Sequence, residues 1–155
     1  MPITSSKPTS LADYLATMSR AVFSSGISWK VIDAKWDGIV EAFDGFDPKK
    51  VAAYSPADVE RLIVDERIVR NRKKIEAIIA NAGELIVVER EFGTMDNYLR
   101  SFGDEDALVK DLHKRFKFLG ESVAHMFLYG VAFDVLAQEA WAREHFGDRM
   151  HEHHE

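Results

Sequence analysis

Hydrophobic residues recur along the chain at intervals of three and four, the spacing that places them on one face of an α-helix. The first such segment follows Thr9 or Ser10, either of which can cap a helix, and Gly26 ends it. The second follows Ser28 and runs to Gly45. No stretch alternates apolar and polar residues with a period of two, so the pattern predicts an all-α domain of about eight short helices.

Helix-starting signals mark the rest of the chain. Asp47-Pro48 and Ser55-Pro56 each place a capping side chain before a proline, whose fixed backbone angle suits the first helical position. Asp58, at the third helical position, adds a capping box to the second of these. The later helices are expected from Val69 or Arg70 to about Glu91, from Thr94, from Asp104 or Asp106 to about Arg115, from Ser122 to Val135 and from Leu136 to Phe146.

The length of 155 residues fits a single domain, residues 1–155, that folds without disulfides. We expect its ends, residues 1–9 and 149–155, to be flexible. No apolar run approaches the roughly 18 to 20 residues that cross a membrane, and the first ten residues lack the order of a signal peptide. The absence of Cys excludes thiol catalysis and thiolate metal sites. We expect a cytoplasmic monomer with no membrane partner and no cofactor.

The last six residues, 150–155, contain three His and two Glu, which could bind a metal ion. A short charged segment at a chain end is more commonly a solvated or disordered tail. We therefore predict no metal site, with this tail as the alternative location for one.

Charge is unevenly distributed along the chain. The net charge of −6 argues against a protein that binds nucleic acid through its overall charge. Residues 61–74, however, contain six basic and two acidic side chains, and residues 113–117 form a second basic cluster. Two such clusters on an acidic chain indicate a directed contact with an anion, although a solvated helix face would have the same composition.

The segment Phe116–Gly120 interrupts the helical spacing between two predicted helices. A helix, a five-residue turn that ends in glycine and a second helix make a helix-hairpin-helix arrangement. The second helix would expose backbone N–H groups at its start, and Gly120 would let a phosphate approach them closely. Glu121 would repel that phosphate unless its side chain turns away, and most turns of this kind only connect two helices.

Six blocks of sequence are specific in combination, although each block alone is modest. They are Ser25-Gly-Ile-Ser-Trp29, Phe46-Asp-Pro-Lys-Lys-Val-Ala52, Asp58-Val-Glu-Arg-Leu62, Ile68-Val-Arg-Asn-Arg-Lys-Lys-Ile75, Ala77-Ile-Ile-Ala-Asn-Ala82 and Arg115-Phe-Lys-Phe-Leu-Gly120. Their order and their coverage, about residues 18–131, resemble the DNA-3-methyladenine glycosylase I family.

The resemblance implies the all-α helix-hairpin-helix glycosylase fold and a role in base-excision repair. In that role an alkylated purine is flipped out of damaged duplex DNA and its N-glycosidic bond is hydrolysed. The base pocket would be lined by Ala21, Phe23, Gly26, Ser28 and Trp29. The DNA backbone would be contacted by Arg70, Arg72, Lys73, Lys117, Phe118, Leu119, Gly120 and Ser122.

The chain departs from the family's pattern at the pocket and at the metal site. The family has a pocket glutamate five residues before the position of Gly26, and here that residue is Ala21. Residues 1–19 show no match, and the Cys and His residues that bind zinc in the family have no counterpart. Asp33, Asp37 and Asp134 are the candidate carboxylates that could replace the glutamate.

Trp29 has two interpretations. In the family the corresponding residue stacks on the extruded base, and stacking suits a cationic alkylated purine. The helical spacing with Ile32 and Trp36 instead predicts a core residue. Three hypotheses follow: a 3-methyladenine-class glycosylase without zinc, a catalytically silent protein that binds DNA or an altered base, and a helical protein with a new ligand in the old pocket.

Overall fold

A computed structural model describes residues 6–133. Over this range the chain forms eight α-helices and one short 3-10 helix, Asp44–Phe46, and contains no strand. The α-helices are α1 Leu11–Ser24, α2 Trp29–Ala42, α3 Pro48–Ala52, α4 Pro56–Ile63, α5 Arg72–Phe92, α6 Met95–Arg100, α7 Glu105–Arg115 and α8 Glu121–Gly130. The all-α fold class is confirmed. The helix predicted at 136–146 lies outside the described residues, as do most of the two ends predicted to be flexible.

Except for α8, the described α-helices begin where side chains satisfy the first free backbone N–H groups. At the start of α1, the Ser10 hydroxyl accepts a hydrogen bond from the Asp13 N–H at 3.2 Å. At the start of α4, Ser55 and Asp58 form the predicted capping box. These local signals favour the start of each capped helix independently of its packing. None of the described helices is both long and apolar enough to cross a lipid bilayer.

Three helix boundaries differ from the prediction. α2 ends at Ala42, before the predicted Gly45, and Phe43 is its C-cap. α5 begins at Arg72, two or three residues later than expected, because the Asn71 side chain accepts a hydrogen bond from the Lys74 N–H at 3.1 Å and caps the helix there. α8 ends at Gly130, five residues earlier than expected. Ala132 has a φ of 63°, a left-handed value that an α-helix cannot continue through.

α5 is the central helix of the domain, since it packs against α1, α3, α4 and α6. Its 21 residues give it a length of roughly 30 Å. An aromatic cluster around Phe43, with the rings of Phe23, Phe46 and Tyr54 at centroid distances of 5.2 to 6.3 Å, fills the space near the end of α2. This packing gives α1, α2 and α5 fixed relative positions, and the candidate site is built on them.

Candidate nucleic-acid interface

The connection between α1 and α2, residues 25–29, ends in an exposed tryptophan, and we call it the stacking turn. Gly26 has a φ of 76°, a left-handed value that residues with a Cβ rarely adopt. The Ser28 hydroxyl accepts a hydrogen bond from the Lys30 N–H at 3.2 Å and caps α2. Trp29 is therefore the first residue of α2, and 42% of its surface is exposed.

The exposure of Trp29 contradicts the interpretation of this residue as part of the core. Ile32, one turn further along α2, is buried. The ring of Trp36 stacks on that of Phe46 with a centroid distance of 5.6 Å. Trp29 has no aromatic or cationic ring partner among residues 6–133. An exposed indole without a ring partner is suited to stack on a nucleobase.

Lys74, in the first turn of α5, holds the stacking turn in place. Its ammonium group donates to the Phe23 carbonyl at 3.2 Å and to the Ser25 carbonyl at 2.6 Å. Carbonyl groups at the end of a helix such as α1 lack intrahelical partners, and a cation is favoured there. Lys74 is 5% exposed, and burial lowers its pKa. The sequence analysis included Lys74 in the basic cluster at 61–74, but its side chain is buried and does not contribute to a charged surface.

The residues predicted to line a base pocket divide into two groups. Gly26, Ser28 and Trp29 are exposed on the stacking turn. Ala21 and Phe23 have no accessible surface, because their positions on α1 face the core. The structure therefore corrects the prediction for Ala21 and Phe23, which do not line an open pocket.

Of the three carboxylates considered as substitutes for the family's glutamate, the structure describes two, and of these Asp37 is an exposed residue of α2. Asp33 lies one turn after Trp29 on α2, and its carboxylate accepts a hydrogen bond from Arg20 Nη2 at 2.9 Å. The Asp33 side chain is 63% exposed, so it lies at the surface of the domain. Asp134 lies outside the described residues. Asp33 therefore contributes to the contact between α1 and α2 and is a weak candidate for catalysis.

The predicted helix-hairpin-helix arrangement is confirmed. α7 is followed by the five-residue turn Phe116–Gly120, which we call the hairpin, and then by α8. Phe116 and Leu119 are buried and anchor the hairpin, whereas Lys117 and Phe118 are exposed. Leu119 was predicted to contact the DNA backbone, but because its side chain is buried, only its main chain can do so.

The start of α8 is open to an approaching anion. Gly120 precedes the helix and provides no capping side chain. A Cβ atom at Gly120 would meet no atom within 4 Å, so the space beside it is free. Ser122 is exposed in the first turn of α8, as is Glu121. Because the first N–H groups of a helix lack intrahelical acceptors, this end of α8 has the properties of a phosphate-binding site.

Asn81 of α5 holds the hairpin, a role that the sequence did not indicate. The Asn81 side-chain oxygen accepts a hydrogen bond from the Lys117 N–H at 2.7 Å, and its amide donates to the Lys117 carbonyl at 3.1 Å. These bonds fix the backbone next to Phe118, whose φ of 62° is unfavourable for a residue with a side chain. The only signal in the sequence was a polar residue within an apolar helix face, and Asn81 is 1% exposed.

Several basic side chains of the predicted anion-binding clusters form ion pairs with neighbouring carboxylates. Arg72, a predicted contact with the DNA backbone, pairs with Glu60 at 2.8 Å. Arg61 and Arg67 of the same cluster, residues 61–74, also pair with acidic side chains. Much of the positive charge in this cluster is therefore neutralised within the protein.

Arg115, in the second basic cluster, is turned into the protein. Its Nε donates to Asp111 at 2.9 Å, and its Nη1 donates to Glu84 and Glu91, each at 3.1 Å. The guanidinium lies 5.5 Å from the ring centroid of Tyr98. Burial opposes the charge, but hydrogen bonds to these three carboxylates raise the pKa of Arg115 above its usual value. Arg115 is therefore a structural residue and does not form part of a charged surface.

Of the four cations predicted to contact the DNA backbone, Arg72 is paired, and the other three are exposed with no acidic partner among residues 6–133: Arg70, Lys73 and Lys117. Arg70 and Lys73 lie on either side of the cap of α5, close in sequence to Lys74, which contacts the stacking turn. Lys117 lies in the hairpin. Unpaired positive charge therefore accompanies both elements of the candidate interface.

The described residues do not supply the ligands of the family's zinc site. The chain has no Cys. Within residues 6–133, no group of three or more His, Asp or Glu side chains is arranged to hold a metal ion. The His-rich tail at 150–155 lies outside this range.

A central helix that contacts both a helix-hairpin-helix and a turn with an exposed tryptophan defines a helix-hairpin-helix domain of the glycosylase type. A family profile described as methyladenine glycosylase matches residues 12–118, and the chain belongs to this family. The match begins at residue 12, so it includes part of the segment 1–19 that had shown no match.

Two relatives and two solved structures define the similarity. DNA-3-methyladenine glycosylase 1 of Escherichia coli (strain K12) is 34% identical over 125 residues, covering 67% of each chain. DNA-3-methyladenine glycosylase of Haemophilus influenzae is 31% identical over 88 residues, covering 57% of this chain and 48% of that relative. The structure of 3-methyladenine DNA glycosylase I from Staphylococcus aureus superposes with a TM-score of 0.74 at 27% identity, covering 84% of this chain and 81% of that chain. A Tyr-to-Phe variant of such a glycosylase, in complex with 3-methyladenine, gives a TM-score of 0.73 at 26% identity, covering 84% of this chain and 82% of that chain.

Proposed function

We propose that the protein is a DNA-3-methyladenine glycosylase I-like protein of base-excision repair, which flips an alkylated purine out of duplex DNA and hydrolyses its N-glycosidic bond. The bond between C1′ of the deoxyribose and N9 of the purine breaks, and its electron pair leaves with the base. Water forms the new bond to C1′ and loses a proton to solvent. Because alkylation gives the purine a positive charge, the base leaves as a neutral molecule. Stacking, desolvation and a placed water can then supply much of the catalysis.

The exposed Trp29 is the observation that carries this proposal. Stacking of a base on an aromatic side chain contributes about 1 to 3 kcal/mol, and a cationic purine adds a cation–π attraction. That gain offsets the few kcal/mol required to extrude a base from the duplex. The open start of α8 supports the second part of the proposal, the binding of a backbone phosphate near the flipped nucleotide.

Release of free base from methylated duplex DNA tests the proposal. We expect 3-methyladenine to appear faster than it does without protein, with no release of normal bases from an unmethylated duplex of the same sequence. Chromatography of the released bases measures both rates. Absence of protein-dependent release, together with intact binding to the duplex, would contradict the enzymatic proposal.

The second candidate is a catalytically silent protein that binds DNA or an altered base. The observations that favour it are the burial of Ala21 at the family's glutamate position and the ion pair between Asp33 and Arg20. Such a protein would retard duplex DNA in a gel at low salt and would prefer a duplex with an abasic analogue over an undamaged one. If it bound neither duplex at low salt, this candidate would be refuted.

We also infer that damaged duplex DNA is the partner and that a monomer acts in the cytoplasm without a cofactor. One chain carries both the stacking turn and the hairpin, so a second copy is not required to contact a duplex. The relatives from Escherichia coli and Haemophilus influenzae are bacterial, and the bacterial chromosome lies in the cytoplasm. Light scattering of the purified protein with and without a short duplex tests the monomeric state.

Replacing Lys117 by alanine is expected to weaken binding to undamaged duplex DNA. Lys117 is exposed in the hairpin, and each lysine that contacts a phosphate releases about one counterion. The plot of log K against log salt has a negative slope, and the substitution should make this slope about 1 less negative. Fluorescence anisotropy over a series of salt concentrations measures the slope. The matched control is Arg72→Ala, which removes the same charge but from a pair with Glu60, and should keep the wild-type slope. Identical slopes for both variants would contradict the phosphate contact.

A further inference from the structure

Two buried polar residues on one face of α5 hold the two elements of the candidate interface. Lys74 and Asn81 are seven residues apart, which is nearly two helical turns, so their side chains share a face. Their separation along the helix axis is roughly 10 Å. Lys74 donates to the backbone at the beginning of the stacking turn, and Asn81 makes two hydrogen bonds to the backbone of the hairpin.

We propose that Lys74 and Asn81 are positioning residues, which set the spacing between the stacking turn and the hairpin so that one DNA strand can engage both. The flipped base would reach Trp29 while a phosphate of the same strand lies at the start of α8. This inference rests on the proposed function, because the spacing matters only if both elements contact DNA.

The contacts are suited to positioning because each is made to main-chain atoms. Lys74 supplies hydrogen bonds to the Phe23 and Ser25 carbonyls, and the turn that follows contains Gly26 in a left-handed conformation. Without this donor, the path of the stacking turn is less constrained. Asn81 likewise holds the residue before Phe118, whose left-handed backbone would otherwise relax.

The helix that carries both residues, α5, is packed on several sides by other helices. α5 has 21 residues and packs against four other α-helices. Lys74 and Asn81 therefore act from a rigid element, so that each contact can be removed with little effect on the other. This independence allows the inference to be tested by separating base recognition from phosphate recognition.

Lys74→Met removes the ammonium group while keeping an unbranched side chain of similar length. We expect the affinity for free 3-methyladenine to fall about tenfold or more, because Trp29 is no longer held in place, while binding to undamaged duplex stays within about twofold. The Trp29-dependent part of the fluorescence quenching, obtained by subtracting the signal of Trp29→Phe, measures binding of the free base. Lys74→Arg, which keeps a charged donor, should restore part of the quenching.

Asn81→Leu removes both hydrogen bonds while keeping a similar shape. We expect the opposite result: binding to undamaged duplex weakens about tenfold with a smaller salt slope, while quenching by free 3-methyladenine stays within about twofold. Both variants should lower kcat/KM for base release from methylated duplex, since release requires both contacts.

A buried apolar residue of α5, which makes no side-chain hydrogen bond to either element, provides the control for a loss of stability alone. Val88→Ala should lower the melting temperature but leave the quenching and the duplex binding unchanged below that temperature. The inference is overturned if Lys74→Met and Asn81→Leu change both measurements in parallel, or if neither differs from Val88→Ala. A wild-type protein that neither binds duplex nor shows quenching would instead refute the proposed function, and the inference with it.

Discussion

Replacement of Trp29 by alanine is expected to lower kcat/KM for the release of 3-methyladenine by about 5- to 150-fold. This range corresponds to the 1 to 3 kcal/mol that a base gains by stacking on an aromatic side chain. Trp29 is 42% exposed, so more than half of its surface is covered by the protein and some packing is lost with it. We therefore expect the free energy of unfolding also to fall, by about 1 to 2 kcal/mol. Single-turnover release on methylated duplex and urea unfolding measure the two effects.

Two other variants separate stacking from packing. Trp29→Phe keeps an aromatic ring and should retain much of the activity. Trp36→Phe changes a tryptophan that stacks on Phe46 within the domain, so it should lower stability while leaving release by the folded protein unchanged. Equal rates for Trp29→Ala and the wild type would show that the base does not stack on Trp29. The exposure of Trp29 would then no longer support the proposed function.

The parts of the fold that the sequence predicted are those determined by neighbouring residues. Ser10, Ser28 and Ser55 each lie next to the helix that they cap, so the start of each helix can be recognised from a few consecutive positions. The hairpin was predicted for the same reason, because Gly120 and the break in helical spacing lie within one short segment.

The parts that were missed depend on contacts between distant segments. Lys74 is 49 and 51 residues from the carbonyl groups that it contacts, and Asn81 is 36 residues from Lys117. A backbone carbonyl has no signature in the sequence, so a lysine that binds one cannot be distinguished from a lysine in solvent. Trp29 shows the same limit, since helical spacing with Ile32 predicted a core position, whereas 42% of its surface is exposed.

Arg115 was assigned to a basic surface for the same reason, and the structure predicts a large effect of removing it. Arg115→Met is expected to lower the free energy of unfolding by about 2 to 3 kcal/mol. The substitution leaves Asp111, Glu84 and Glu91 close together without the cation that all three share, at a site where the arginine side chain is only 24% exposed. Urea unfolding near neutral pH measures the loss.

The matched control is Arg100→Met, which makes the same substitution in an ion pair between two residues that lie one helical turn apart. Arg100 and Asp96 are each nearly half exposed, so their pair contributes little, about 0.5 kcal/mol or less. If Arg115 is structural, Arg115→Met should also keep the wild-type salt slope for duplex binding, which Lys117→Ala should not. A reduced slope with unchanged stability would instead place Arg115 on the DNA-contacting surface, because a side chain that contacts phosphate must release counterions and one that holds three carboxylates cannot.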